Sequence, residues 1–197
     1  MLKTKLKIVE IFYSLQGEGA NTGKPFVFIR LSNCNLNCWF CDTDWNKGQE
    51  YTLEQLLNEV NQYSCKNILW TGGEPTLQLT DEILRYFEGY YHAIETNGTN
   101  EVPSLIDYIT VSPKVKPSEI KPTRINEIRY PIELNTPIPS IKELPHAENY
   151  FLSPMFMGAP RQRFDMVKAN VDYCIHYIKN HPEWRLSLQT HKILNIL

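Results

Sequence analysis

Cys34-Asn-Leu-Asn-Cys38-Trp-Phe-Cys41 places three thiols in a C-x3-C-x2-C run directly after the apolar stretch Pro25–Ser32. Thiols this close can wrap one soft inorganic centre, because thiolate favours zinc or iron–sulfur clusters. The ligand count separates the two. A structural zinc is closed by four ligands, yet Cys65 is isolated far downstream and the first histidine is His92. A four-iron cluster on three cysteines keeps one iron without a protein ligand, open to a small molecule. A zinc knuckle completed by a distant residue is the alternative.

The rest of the composition bounds the setting. A chain of 197 residues is long enough for one domain, 1–197, with a sizeable core. The formal net charge of −2 offers no general electrostatic grip on nucleic acid or an anionic membrane. Residues 1–10 are basic but lack the uninterrupted apolar segment of a signal peptide, and no run approaches membrane-spanning length. Five cysteines, an odd number with three clustered, argue against a disulfide scaffold and for a reducing cytoplasm.

Along the chain, 6–14 reads as a strand running into Leu15-Gln-Gly-Glu-Gly19, a tight loop or a close approach to a ligand. Pro25–Ser32 reads as a strand buried on both faces, interrupted by Arg30, whose partner is a carboxylate of the protein or of a substrate. Thr52-Leu-Glu-Gln55 is a capping box that opens a helix, with Leu53, Leu56, Leu57 and Val60 on one face. Strands follow at 67–71, 91–95 and 108–111, with a helix at 79–87. They hand over to Gly72-Gly-Glu-Pro75, Thr96-Asn-Gly98 and Ser112-Pro-Lys114. Alternating strands and helices imply βα units and a parallel sheet with these loops on one rim.

Seven of the 13 prolines lie between Pro113 and Pro145, so this part is expected to be extended and poor in helix, with one strand near 128–134. A short strand at 150–152 leads into the loop Ser153-Pro-Met-Phe156. A long helix is expected from about Arg161 to Lys179, with Phe164, Val167, Val171, Cys174, Ile175 and Ile178 on one face. That places Cys174 in the core, and Cys65 reads as structural too. A last strand is expected at 184–188, and His191 near the end reads as a surface residue.

The spacing C-x3-C-x-aromatic-C, with Phe40 as the aromatic, resembles the radical S-adenosylmethionine superfamily. Gly72-Gly-Glu-Pro75 looks like that superfamily's element for the methionine end of the nucleotide cofactor, its glycines admitting a close ligand. Gln16-Gly-Glu-Gly19, Cys41-Asp-Thr43, Glu95-Thr-Asn-Gly98, Ser112-Pro-Lys114 and Gln189-Thr-His-Lys192 narrow the resemblance. Together they resemble the 7-carboxy-7-deazaguanine synthase family over nearly the whole chain.

The resemblance implies an α/β fold, a partial (βα)6-type barrel with an elaborated, proline-rich second half and fewer helices than strands. It implies a lyase that converts 6-carboxy-5,6,7,8-tetrahydropterin to 7-carboxy-7-deazaguanine with loss of ammonia, on the route to queuosine in tRNA. Cys34, Cys38 and Cys41 would hold a [4Fe–4S] cluster. Phe40, Asp42, Gly73, Ser112, Pro113, Lys114, Ser153, Pro154, Met155 and Phe156 would contact S-adenosyl-L-methionine. Leu15, Gln16, Gly17, Arg30, Thr71 and the terminal carboxylate of Leu197 would meet the pterin, and Thr43 would ligate Mg2+. The Ser153–Phe156 stretch matches the family in position better than in residue identity. Partners implied are the small-molecule pterin, a flavodoxin or ferredoxin as electron donor, and a second copy in a homodimer, with no direct nucleic acid and no membrane. Two other functions share parts of this pattern: a radical activase acting on a partner protein, which should lack the pocket around Arg30 and Thr43, and a non-catalytic zinc-binding module.

Overall fold

The computed structural model describes residues 5–41, 43–157 and 165–197. The chain divides into two compact units: 1–14, 25–96 and 101–109 in the first, and 15–24, 97–100 and 110–197 in the second.

The first unit is built on β1 (Lys5–Leu15, its last residue counted with the second unit), β2 (Pro25–Leu31), β3 (Gln49–Thr52), β4 (Asn67–Gly72) and β5 (Tyr91–Thr96), in the order β3-β1-β2-β4-β5. β2, β4 and β5 run parallel, and β3 lies antiparallel on β1. The apolar run of β2 is buried on both faces, as its sequence implies: Phe26, Val27, Phe28, Ile29 and Leu31 are all buried. Phe12, Phe26, Phe28, Leu69 and Ala93 form a cluster in which the Phe12 and Phe28 rings stack at 4.8 Å. Each phenylalanine or leucine so buried contributes about 1.5–3 kcal/mol.

α1 (Leu53–Val60) opens with the expected capping box: Thr52 Oγ1 accepts from Gln55 N at 3.2 Å, and the Gln55 side chain accepts from Thr52 N at 2.9 Å. Such a cap stabilises a helix by about 1 kcal/mol. α2 is shorter than its pattern suggests, Asp81–Arg85, begun by Thr80 as N-cap. β3 has no counterpart in the sequence reading; its alternation is too short to stand out from the polar stretch before α1.

The second unit carries the latter half of β6 (Tyr108–Val111, which divides at Thr110), β7 (Glu127–Ile132), β8 (Asn149–Pro154), β9 (Phe156–Met157), β10 (Asp165–Met166), α3 (Lys168–Asn180), β11 (Arg185–Leu186) and α4 (Thr190–Leu194). Its main strands are parallel in the order β6-β7-β8-β11. The crossovers before β7 and β8 contain three-residue 3-10 turns, Pro117–Glu119 and Ile141–Glu143, in place of α-helices. Proline explains this, since it removes the amide donors a helix interior needs. Ile132, Leu152, Cys174 and Trp184 form the core here, and burial pushes the Cys174 thiol up to about 12.

Four expectations need correction. α3 begins at Lys168, not Arg161: Asp165–Met166 is extended and pairs antiparallel with Phe156–Met157, so its amides serve a strand. Residues 161–164 of the expected helix lie outside the described residues. Ile175 is 41% exposed and so leaves the buried face that Cys174 marks. Ser153-Pro-Met-Phe156 is not a loop throughout, for Ser153 and Pro154 complete β8 and Phe156 starts β9. The last strand shrinks to Arg185–Leu186, beside Phe151–Leu152. Among the described residues, no helix is long and apolar enough to cross a membrane.

Candidate active site

In the first unit, β2 delivers the chain into the cysteine loop. Ser32 Oγ and Asn33 N both donate to Trp45 O, at 2.9 and 3.0 Å, and close the loop at its base. Asn33 turns the chain at φ 69°, a left-handed conformation that asparagine tolerates better than most residues. Beyond it, Cys34 Sγ accepts from Leu36 N at 3.4 Å, and Cys41 N donates to Cys38 O at 3.2 Å. Burial pushes the Cys34 thiol up, against the Leu36 N–H, with Glu74 and Cys38 adding to the rise. Bound iron would reverse that, since a coordinating thiol is held deprotonated.

The cysteine loop fits a cluster. An iron–sulfur cluster takes each thiolate on a different iron, so three cysteines on one loop would hold it while one iron stays open. Cys34 and Cys38 are partly buried and Cys41 is exposed.

Gly72-Gly-Glu-Pro75 is fastened to this loop. Gly73 N donates to Leu31 O and Glu74 N to Asn33 O, both at 2.8 Å. A Cβ on Gly73 would stand 1.9 Å from Asn33 O; one on Gly72, at φ +106°, would stand 2.5 Å from Leu31 N. The glycines are therefore dictated by contact with the chain itself, beyond the ligand approach expected from sequence. Glu74 is fully buried and accepts from Thr76 Oγ1 at 2.6 Å and Thr96 Oγ1 at 2.7 Å.

Arg30 and Thr71 are brought together as register partners on β2 and β4. Arg30 Nη1 lies 3.0 Å from Glu10 Oε1, its guanidinium 5.4 Å over the Phe12 ring. The carboxylate that the sequence requires of Arg30 is thus supplied by the protein in this state. Thr71 Oγ1 donates to Glu95 Oε2 at 3.4 Å. Thr43 sits beside the cluster loop, its carbonyl accepting from Cys41 Sγ at 3.5 Å. Phe40 packs edge-on against Trp39, which is 69% exposed. Asp42 lies outside the described residues.

In the second unit, Gln16 N donates to Lys24 O at 2.9 Å and Gly23 N to Gln16 O at 2.8 Å, which closes the Leu15–Lys24 loop. Gly17 O accepts from both N and Oγ1 of Thr190 at 2.9 Å. A Cβ on Gly17 would fall 2.1 Å from His191 Nδ1, so the imidazole lies flush against this glycine. His191 is therefore part of the loop's surroundings and not the surface residue its sequence position suggests. Ser153 Oγ donates to Glu18 Oε1 at 3.0 Å, and Lys114 Nζ holds Ser112 through its carbonyl and hydroxyl at 2.8 and 2.7 Å, across Pro113. Met155 is fixed by its backbone to Ile132 O and Asn170 Nδ2, each at 2.9 Å. Phe156 is buried under Lys192, whose Nζ is 6.0 Å from the ring centroid. Leu197 is exposed.

Sequence reasoning missed Glu10, Glu127, Arg129 and Ser187. The signal was present for the two carboxylates: Glu10 and Glu127 each stand two residues before an aromatic or an arginine on a strand and so share its face.

The description "Radical SAM superfamily" matches residues 28–114 of this chain. The 7-carboxy-7-deazaguanine synthase of Bacteroides thetaiotaomicron is 43% identical over 192 residues, 96% of this chain and 98% of that protein. That of Haemophilus influenzae is 41% identical over 198 residues, 96% of this chain and 93% of its own. The crystal structure of QueE from Escherichia coli superposes with a TM-score of 0.66 at 28% identity, covering 93% of each chain. The fold is thus a radical SAM core with an elaborated second half, and an iron–sulfur cluster and S-adenosylmethionine are its cofactors. With identity of this order along nearly its whole length, the chain belongs to the 7-carboxy-7-deazaguanine synthase family of radical SAM enzymes.

Proposed function

We propose that the protein converts 6-carboxy-5,6,7,8-tetrahydropterin to 7-carboxy-7-deazaguanine with loss of ammonia, feeding 7-deazapurine synthesis, and that 1–197 works as one catalytic domain. The observation that carries this reading is the pairing of a three-cysteine loop with the Gly72–Pro75 loop bonded to it, with Arg30 and Thr71 side by side on the adjoining strands. When bound, the cluster and its nucleotide cofactor supply a carbon radical that takes hydrogen from substrate.

The chain's own residues hold and orient. Cys34, Cys38 and Cys41 bind the cluster. Phe40, Gly73, Ser112, Pro113, Lys114 and Ser153–Phe156 line the cofactor, together with Asp42. Arg30 receives the pterin carboxylate by charge-assisted hydrogen bonds, exchanging or sharing Glu10. Leu15, Gln16, Gly17, Thr71 and Leu197 contact the ring system and hold it for the near-attack geometry that such a transfer needs. Thr43 offers its hydroxyl to Mg2+, a hard ion that accepts one protein oxygen and completes its shell with water and substrate oxygens. A flavodoxin or ferredoxin supplies the electron, and the working form is a cytoplasmic homodimer.

The test is anaerobic: reconstituted enzyme, the carboxy-tetrahydropterin, S-adenosylmethionine, Mg2+ and a reductant, with products followed by mass. Deazaguanine and ammonia in equal amounts are expected. Cofactor cleavage with the pterin left intact would overturn the assignment and favour an activase acting on another protein.

A further inference from the structure

β7 carries two charged side chains, Glu127 and Arg129, at alternate positions facing the same way, and both are buried: their side chains are 1% and 5% exposed. Arg129 Nη1 lies 3.2 Å from Glu127 Oε1, and Nη2 lies 3.6 Å from Glu18 Oε2. The Arg129 guanidinium therefore stands between two carboxylates. Each carboxylate also grips the Leu15–Ala20 segment or its neighbour. Glu127 Oε2 accepts from Ala20 N at 2.9 Å, and Glu18 Oε1 accepts from Ser153 Oγ at 3.0 Å. Gly19 N donates to Ser187 Oγ at 2.8 Å, and Gly17 O is held by Thr190. Gly19 adopts φ +68°, and a Cβ there would stand 2.0 Å from Glu127 Oε1. The segment is thus seated on the Glu127 carboxylate with no room for a side chain between them.

We propose that Arg129 is a positioning residue that sets the conformation of the Leu15–Ala20 segment for substrate binding, an inference that rests on the pterin reading above. The argument is one of charge. A guanidinium removed from between two carboxylates leaves like charges facing each other in a poorly solvated place, where their repulsion is strong. Glu127 cannot reach water. Glu18, 15% exposed at its side chain, can, and its departure turns the backbone that carries Gln16 and Gly17.

The experiment compares wild type, Arg129→Gln, Arg129→Lys and Glu127→Gln, all reconstituted anaerobically. Three quantities are read: KM for 6-carboxy-5,6,7,8-tetrahydropterin, the rate of cofactor cleavage without pterin, and hydrogen exchange at Gly19 and Ala20. Arg129→Gln is expected to raise KM at least tenfold and to speed exchange at both amides, with pterin-free cleavage within about twofold of wild type. Arg129→Lys should restore part of the KM. Glu127→Gln can keep an oxygen for Ala20 only by turning an amide NH2 toward Arg129, donor against donor, so it unseats the guanidinium without setting two carboxylates face to face; it carries the test if Arg129→Gln does not fold, and a KM rise of at least threefold is expected. An unchanged KM in a folded variant overturns the proposal, as does a parallel fall in pterin-free cleavage, which marks a general structural role. Wild type that cleaves cofactor but leaves the pterin intact overturns the substrate reading itself and the proposal with it. Wild type that turns the pterin over beside a variant of unchanged KM overturns the Arg129 proposal alone.

Discussion

Arg30 and Glu10 form an ion pair at 3.0 Å on neighbouring strands, with the guanidinium seated over Phe12. Both side chains keep between a quarter and a third of their surface in solvent, so the pair is held loosely enough to admit a competing carboxylate. Arg30→Ala should raise KM for the pterin by roughly 10- to 100-fold, the loss expected for hydrogen bonds to a charged group. Cofactor affinity should change far less. Binding measurements with the pterin and with its decarboxylated analogue check this. Equal affinity of wild type for the two would remove the carboxylate from Arg30's duties.

Replacing Cys34, Cys38 or Cys41 by Ala should abolish the cluster and with it the brown colour and cofactor cleavage. Cys65→Ala and Cys174→Ala should reconstitute normally, because both thiols are buried in the packing of their own units. Iron and sulfide analysis of the five variants decides it. Full iron loading without Cys38 would refute the assignment.

Thr43 follows Cys41 closely and accepts its thiol hydrogen bond at the carbonyl, which places the residue beside the cysteine loop. Turnover of chelator-treated wild type should rise on adding Mg2+. Thr43→Ala should blunt that rise while cluster absorbance and pterin-free cleavage stay near wild type. An equal Mg2+ response in both proteins would show that the ion is not held through Thr43.

Alkaline pH should weaken the second unit through Cys174. Its thiol stays protonated in the fold to about pH 12, against 9.0 when unconstrained, because burial disfavours the thiolate. Between those values the native state binds the extra proton, so this stabilisation is complete below pH 9 and declines as pH rises. The steepest slope is about 1.4 kcal/mol per pH unit. Urea midpoints of reconstituted wild type and Cys174→Ala, compared at pH 8 and 10, should show the larger alkaline loss in wild type.

Local chemistry was legible in the residues. The Thr52–Gln55 cap, the doubly buried β2 and the proline-limited crossovers all follow from short stretches whose preferences nothing overrides. What escaped depends on partners distant in sequence. The apolar spacing from Phe164 onward suits a helix, yet Asp165–Met166 is drawn into pairing with Phe156–Met157. An arginine in a strand announces a carboxylate without saying which, and Glu10 answers from another strand. His191 and Gly17 lie at opposite ends of the chain, so no local pattern reports that one packs on the other.

The close seat of Gly72 and Gly73 on the Leu31–Asn33 backbone separates two kinds of selection that alignments of enzymes ordinarily confound. Neither position has space for a methyl group against main-chain atoms that cannot swing aside. A library of variants sorted only for folded protein, with no demand for activity, should therefore lose substitutions at these glycines as sharply as one sorted for product. Cys38 should be freely replaced in the first sort and fixed in the second. The demand for glycine at Gly72 and Gly73 then speaks first about assembly of the chain, and only through it about chemistry.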